Sequence, residues 1–176
     1  ELHIHCKVAY QMNETDVTGC SFNEVTSSSV EESLTSSFHQ LFNDKMPFSD
    51  VQIQVRNGTI FPAHKIVISA RSSVLRAMFQ SEGFAENKTN VVKIEDFEPL
   101  VVTEMLRFFY TDRVEKMKEL AKDLLVSADK YMVDSLKSLC ESYLAQTITI
   151  QNCCELLALA DSHSAGRLKE VAMGFL

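Results

Sequence analysis

Two clusters in this 176-residue chain hold the side-chain types of catalysis or metal binding. His3, His5 and Cys6 supply nitrogen and sulfur ligands, and Asp161, Ser162 and His163 supply the groups of a hydrolytic triad. Spacing argues against both. Successive residues of a strand point to opposite faces, so His3 and His5 share one face while Cys6 takes the other, and no second ligand pair follows. Three consecutive residues cannot turn toward one another as a nucleophile, base and orienting acid must. No glycine-rich phosphate loop, Gly-x-Ser-x-Gly elbow or His-Glu-x-x-His is present. The expectation is a protein without catalytic residues, metal or cofactor.

The five cysteines, Cys6, Cys20, Cys140, Cys153 and Cys154, are odd in number and irregular in spacing, which suggests no disulfide framework. Cys140, Cys153 and Cys154 lie among Leu and Ala in helical patterns, where a free thiol behaves as a small hydrophobe. The adjacent Cys153 and Cys154 are expected to diverge. Asn-x-Thr triplets occur at Asn13, Asn57 and Asn87, but no leader is visible and Asn57-Gly58 suits a tight turn. These features together predict a reducing, intracellular setting, in the nucleus or the cytoplasm.

Those residues need elements to position them. Hydrophobic residues make up 45% of the chain and charged residues 23%, a globular composition with enough apolar material for a core. Lys and Arg number 17 against 24 Asp and Glu, for a net charge of −7. Without a basic stripe to meet phosphates, nucleic acid is a poor partner; no apolar run is long enough for a membrane span. A protein partner is expected.

Leu2, Ile4, Cys6 and Val8 alternate with His3, His5 and Lys7 as one strand, which is not stable alone and so reads as the last strand of a domain lying upstream. Polar residues 11–27 read as a linker. From Ser28 to Asn43, Val30, Leu34, Phe38, Leu41 and Phe42 trace one helical face, with Ser28/Glu31 or Ser29/Glu32 as a capping box. Val51, Ile53 and Val55 alternate up to Asn57-Gly58, predicting a hairpin with a type I′ turn into Thr59-Ile60-Phe61. Pro62 should close the hairpin and start a short helix through Ile68, with a second helix from Ser72 or Ser73. Residues 81–90 read as a polar loop, Val91 to Ile94 as a short strand, and Pro99 as the start of a helix burying Leu100, Met105, Leu106 and Phe109. Beyond it, Met117 to Ala128 and Leu136 to Leu144 trace helical stripes, followed by shorter helices at Cys153 to Ala160 and Ala165 to Phe175. The sum is an α+β domain with a small sheet.

Phe48-Ser49-Asp50-Val51, Ala63-His64-Lys65, Ser69-Ala70-Arg71-Ser72, Met78-Phe79 and Phe109-Tyr110-Thr111, in that spacing, resemble the BTB/POZ family. Ala128-Asp129-Lys130-Tyr131 and the run from Leu159 to Ala165 are similar to its speckle-type MATH-BTB branch. The resemblance implies a BTB/POZ fold with a small mixed sheet flanked by helices. It divides the chain into the end of a MATH domain (1–10), a linker (11–27), the BTB/POZ domain (28–146), and a C-terminal helix pair (147–176) of the kind called a 3-box, which opens the BACK region.

In that branch the domain homodimerises and docks on cullin-3 as a ubiquitin-ligase substrate adaptor, while the MATH domain, here missing apart from its last strand, captures substrate. The resemblance then assigns residues. Phe84, Ala85 and Glu86 match the hydrophobic-x-Glu cullin contact, with Phe84 and Glu86 presented outward. Leu34, Phe38, Leu41 and Phe42 with Val67 and Ile68 would pack against the twin subunit, although their stripe alone would equally suit the domain's own core. Asp50 and Lys65 match a central charged pair, expected to be buried and structural. The competing function is a dimerisation module of a transcriptional or scaffold protein that never meets cullin; the lack of any zinc-finger pattern weighs against it.

Overall fold

The computed structural model describes residues 27–80, 83 and 85–175, with side chains from Thr35 onward except that of Ala85. The strand and linker expected before Ser27 lie outside these residues. Helix α1 (Ser27–Asn43) leads into strands β1 (Val51–Val55) and β2 (Ile60–Ala63). Helices α2 (Lys65–Arg71), α3 (Ser73–Gln80) and α4 (Ala85–Thr89) then carry the chain to strand β3 (Val91–Ile94). Five further helices follow: α5 (Pro99–Thr111), α6 (Met117–Lys130), α7 (Asp134–Gln146), α8 (Cys153–Ser162) and α9 (Gly166–Phe175).

The three-stranded sheet has the order β2-β1-β3, with β1 antiparallel to β2 and parallel to β3. The mixed sheet is therefore as expected, and a parallel partner for β1 is what the intervening helices make possible. Alternation places Val51, Ile53 and Val55 inward, joined by Ala63, Val92 and Ile94, while Gln52 and Lys93 face solvent. Ile68 of α2, Leu75 of α3 and most of α5 complete the same core.

The hairpin forms where the sequence places it, but its turn is of another type. The Gly58 N–H donates to the Val55 carbonyl at 2.8 Å, and Val55 N–H donates to the Thr59 carbonyl at 2.8 Å. Only Gly58, at φ +85°, is left-handed, whereas a type I′ turn needs positive φ at both central residues. The loop is a type I turn closed by a glycine bulge, and Thr59 N–H bonds back to Asn57 Oδ1 at 3.0 Å. Pro62 does not start a helix. It stands in β2 opposite Gln52, on an edge strand, where a missing N–H costs no ladder bond.

Three further expectations are corrected. Part of the 81–90 loop folds as α4, whose Asn90 N–H closes on the Glu86 carbonyl at 3.0 Å. Leu100 is 38% exposed, because Pro99 at the first position of α5 turns Val101 and Val102 inward instead. Leu139 is 39% exposed on the rim of α7, while Leu136, Cys140 and Leu144 form its inner stripe.

Candidate functional site

Three helices build an open groove. The stripe of α1 lies on α5, and α2 flanks both, leaving a groove of about 370 Å³ lined by Phe38, Ile66, Val67, Phe109 and Tyr110 with Arg71 and Asp112 at its mouth. Phe38 and Phe42 stack toward Tyr110 at ring distances of 6.4 and 5.9 Å, tying α1 to α5. Arg71 explains how the mouth is held. Its Nε and Nη2 donate to the Phe109 and Phe108 carbonyls, each at 3.1 Å, and it pairs with Asp112, the left-handed C-cap of α5. A guanidinium at a helix C-terminus satisfies orphan carbonyls and meets the negative end of the dipole.

Of the residues expected at a twin-subunit contact, Phe38 and Val67 line this groove, and Leu41 and Phe42 are half-buried against their own domain. Leu34 lies in α1, and its side chain is outside the described set. Ile68 is a correction. It is fully buried in the core, because α2 turns its Ile68 side inward and leaves Ile66, 80% exposed, on the outer face. Sequence reasoning missed Ile66. Its signal was helical phase: Ile66 and Ile68 are two positions apart and so lie on opposite sides of a helix.

Phe48 was also missed as a surface feature. It is 96% exposed at φ +63°, a backbone state bulky residues seldom take. The turn that holds it is pinned by Ser49 N–H to the Met46 carbonyl at 3.2 Å and by His64 Nε2, which donates to the Pro47 carbonyl at 2.8 Å. An exposed aromatic side chain on a hydrogen-bonded turn is the kind of anchor that interfaces use.

Asp50 and Lys65 do come together, though not as a buried ion pair. Asp50 Oδ1 accepts the Lys65 backbone N–H at 2.8 Å, so the carboxylate caps α2, whose own N-cap residue His64 makes no side-chain cap. The Lys65 ammonium turns instead to Asn90 Oδ1 and lies 5.3 Å from the centre of the Phe79 ring. The physical reason is demand: orphan N–H groups at a helix start compete for a carboxylate on equal terms with an ammonium. Beside them, the Tyr110 hydroxyl accepts the His64 backbone N–H at 2.9 Å and bonds His64 Nδ1 at 2.8 Å. Burial above all pushes Tyr110 up to about 12, against the pull of the His64 hydrogen bond and with a contribution from Asp50. The hydroxyl therefore stays protonated and works as a strut.

Ala85 and Glu86 open α4, between α3 and β3, and Glu86 is half-buried in its first turn. Phe84, the first residue of the hydrophobic-x-Glu pattern, lies outside the described residues.

Buried and half-buried carboxylates lock the C-terminal helices together. Glu141 of α7 is nearly buried, and its Oε2 accepts the Leu168 N–H of α9 at 3.1 Å. Asp129 at the end of α6 receives Lys137 Nζ of α7 at 2.6 Å and His163 Nδ1, just past α8, at 3.1 Å. His163 thus meets an acid distant in sequence and not its neighbour Asp161, which pairs with Lys169 at 2.5 Å. Glu104 of α5, buried, accepts Glu115 N–H at 2.7 Å and Arg107 Nε at 3.3 Å, fixing the turn into α6. Cys153 and Cys154 do not diverge: their sulfurs are 4.0 Å apart. Among the described residues no helix is long and apolar enough to cross a membrane.

The comparisons with known proteins bear on this arrangement. The family model described as BTB/POZ domain matches residues 38–148. Among solved structures, the BTB domain of zebrafish PATZ1 aligns at a TM-score of 0.57 with 21% identity, covering 80% of this chain and 99% of that one. That identity speaks to the fold, and the fold agrees.

Proposed function

Because this chain belongs to the BTB/POZ domain family, a family of protein-interaction modules that commonly homodimerise, we propose that it is the assembly portion of a cullin-3 ubiquitin-ligase substrate adaptor. It acts as a homodimer inside the cell, in the nucleus or the cytoplasm. Its sequence blocks ally it with the MATH-BTB branch, whose MATH domain delivers the substrate. Catalysis belongs to the ligase partners.

The observation that carries the reading is the helix pair α8–α9. The pair follows the family match, which ends at residue 148, and it is bound rigidly to α6 and α7 through Glu141–Leu168 and the Asp129–Lys137–His163 cluster. In the branch that this chain resembles, such a pair widens the cullin groove. The α1–α2–α5 groove supports self-association, since an isologous contact needs one self-complementary apolar patch. Phe84 and Glu86 supply the cullin contact, an apolar plug with a carboxylate nearby.

The test is co-elution with the cullin-3 N-terminal domain on a sizing column with light scattering. The adaptor reading expects one complex holding two copies of each chain. A lone dimer beside free cullin would instead support a dimerisation module of a transcriptional or scaffold protein.

A further inference from the structure

Three of the four residues from Lys45 to Phe48 take left-handed backbone, with φ of 58° at Lys45, 55° at Met46 and 63° at Phe48. None is a glycine, so each conformation costs free energy that the surroundings must offset. The same turn buries the Met46 side chain and puts the Phe48 ring into water. Beside it lies an apolar hollow of about 350 Å³ lined by Phe42, Met46, Phe61, Pro62 and Leu106, with Lys45 as its charged residue. We propose that Phe48 of one copy fills this hollow on a second copy, and that the exchange is mutual. This contact rests on the self-association proposed for the α1–α2–α5 groove and adds the side chain that each partner contributes to it.

A second copy accounts for both halves of this surface, whereas a foreign peptide would account for the hollow and leave Phe48 in water. Knob and hollow belong to one turn, with Met46 in the lining and Phe48 two positions on, so a two-fold axis between them fills both hollows at once. Charge follows the same symmetry. Asp44 and Lys45 are exposed neighbours without an ion pair among the described residues, and the axis that exchanges the rings would bring each toward its opposite on the other copy. The surface is also continuous with the groove. Phe42 of the hollow and Phe38 of the groove are one helical turn apart on α1, and both rings stack toward Tyr110. An aromatic ring that leaves water for an apolar hollow is a contact of the type that carries binding energy.

The test is sedimentation equilibrium of the full chain beside Phe48→Ser, which removes the knob, and Thr103→Phe, which fills the hollow from α5 on the chain's own side. Each variant is expected to raise the dimer dissociation constant by roughly tenfold or more, as the loss of a buried Phe implies. The double variant should bind no more weakly than either single one, because both changes remove the same contact. Urea midpoints like that of the wild type show that the variants fold; should Thr103→Phe not fold, Thr103→Leu takes its place. A wild type that stays monomeric at every concentration overturns this contact and the self-association reading together. A wild type that dimerises no more tightly than Phe48→Ser overturns this contact alone. Weakening by Thr103→Phe without weakening by Phe48→Ser would give the hollow to another occupant and likewise overturn the exchange.

Discussion

At Asp129 one carboxylate receives Lys137 from α7 and His163 from beyond α8, so a single side chain joins the BTB core to the helices that follow it. Burial alone would raise its pKa, but the hydrogen bonds and charges of Lys137 and His163 outweigh burial and hold it below the ordinary carboxylate value. A carboxylate depressed in the folded state contributes stability that is fully present above the unfolded value of about 4 and is lost as pH falls through the folded value. Urea denaturation of Asp129→Asn across that window should therefore show a shallower acid limb than the wild type. The two proteins should differ most at neutral pH and converge below the folded pKa; parallel limbs would contradict the cluster's role. None of this was legible in the sequence, where Asp129 and His163 lie 34 positions apart with no shared pattern. Lys65 shows the same limit. Its nearness to Asp50 was foreseen, but whether the backbone N–H or the ammonium takes the carboxylate depends on where α2 starts.

Helix α2 separates two isoleucines that a sequence pattern treats alike. Ile66 faces water beside the groove, whereas Ile68 is sealed in the core with Ile53 and Ile94. Ile66→Asp is expected to leave the fold intact, with an unchanged urea midpoint, while weakening self-association in light scattering. Ile68→Asp buries a charge without a partner and should cost more than about 4 kcal/mol, unfolding much of the protein. Equal effects from the two would refute this assignment of faces. Long periodic elements were the legible ones: α1, the hairpin strands, α5, α6 and α7 all lie where hydrophobic spacing puts them. Helix α4 was not, because its five residues are too few for a period and it depends on Asn90 closing on Glu86. The hairpin turn was misjudged for a related reason: Asn-Gly permits several turns, and the one adopted is fixed by which residue takes positive φ.

For the whole molecule, the account requires two surfaces to work together. On the proposed reading, the groove of α1, α2 and α5 would pair one copy with another, and the region around α4 and α8–α9 would meet the ligase scaffold. If the groove is the dimer contact, Leu34→Asp with Phe38→Asp should give folded monomers in light scattering, since two charges in a shared apolar patch oppose association. A dimer surviving both would place the contact elsewhere. Calorimetric titration of the cullin-3 N-terminal domain into the wild type and into Phe84→Ala tests the central claim most directly. Burying one Phe is worth about 1.5–3 kcal/mol, so the variant should bind roughly tenfold to a hundredfold more weakly. A wild type that gives no binding heat, or a variant that binds as tightly as the wild type, would contradict it.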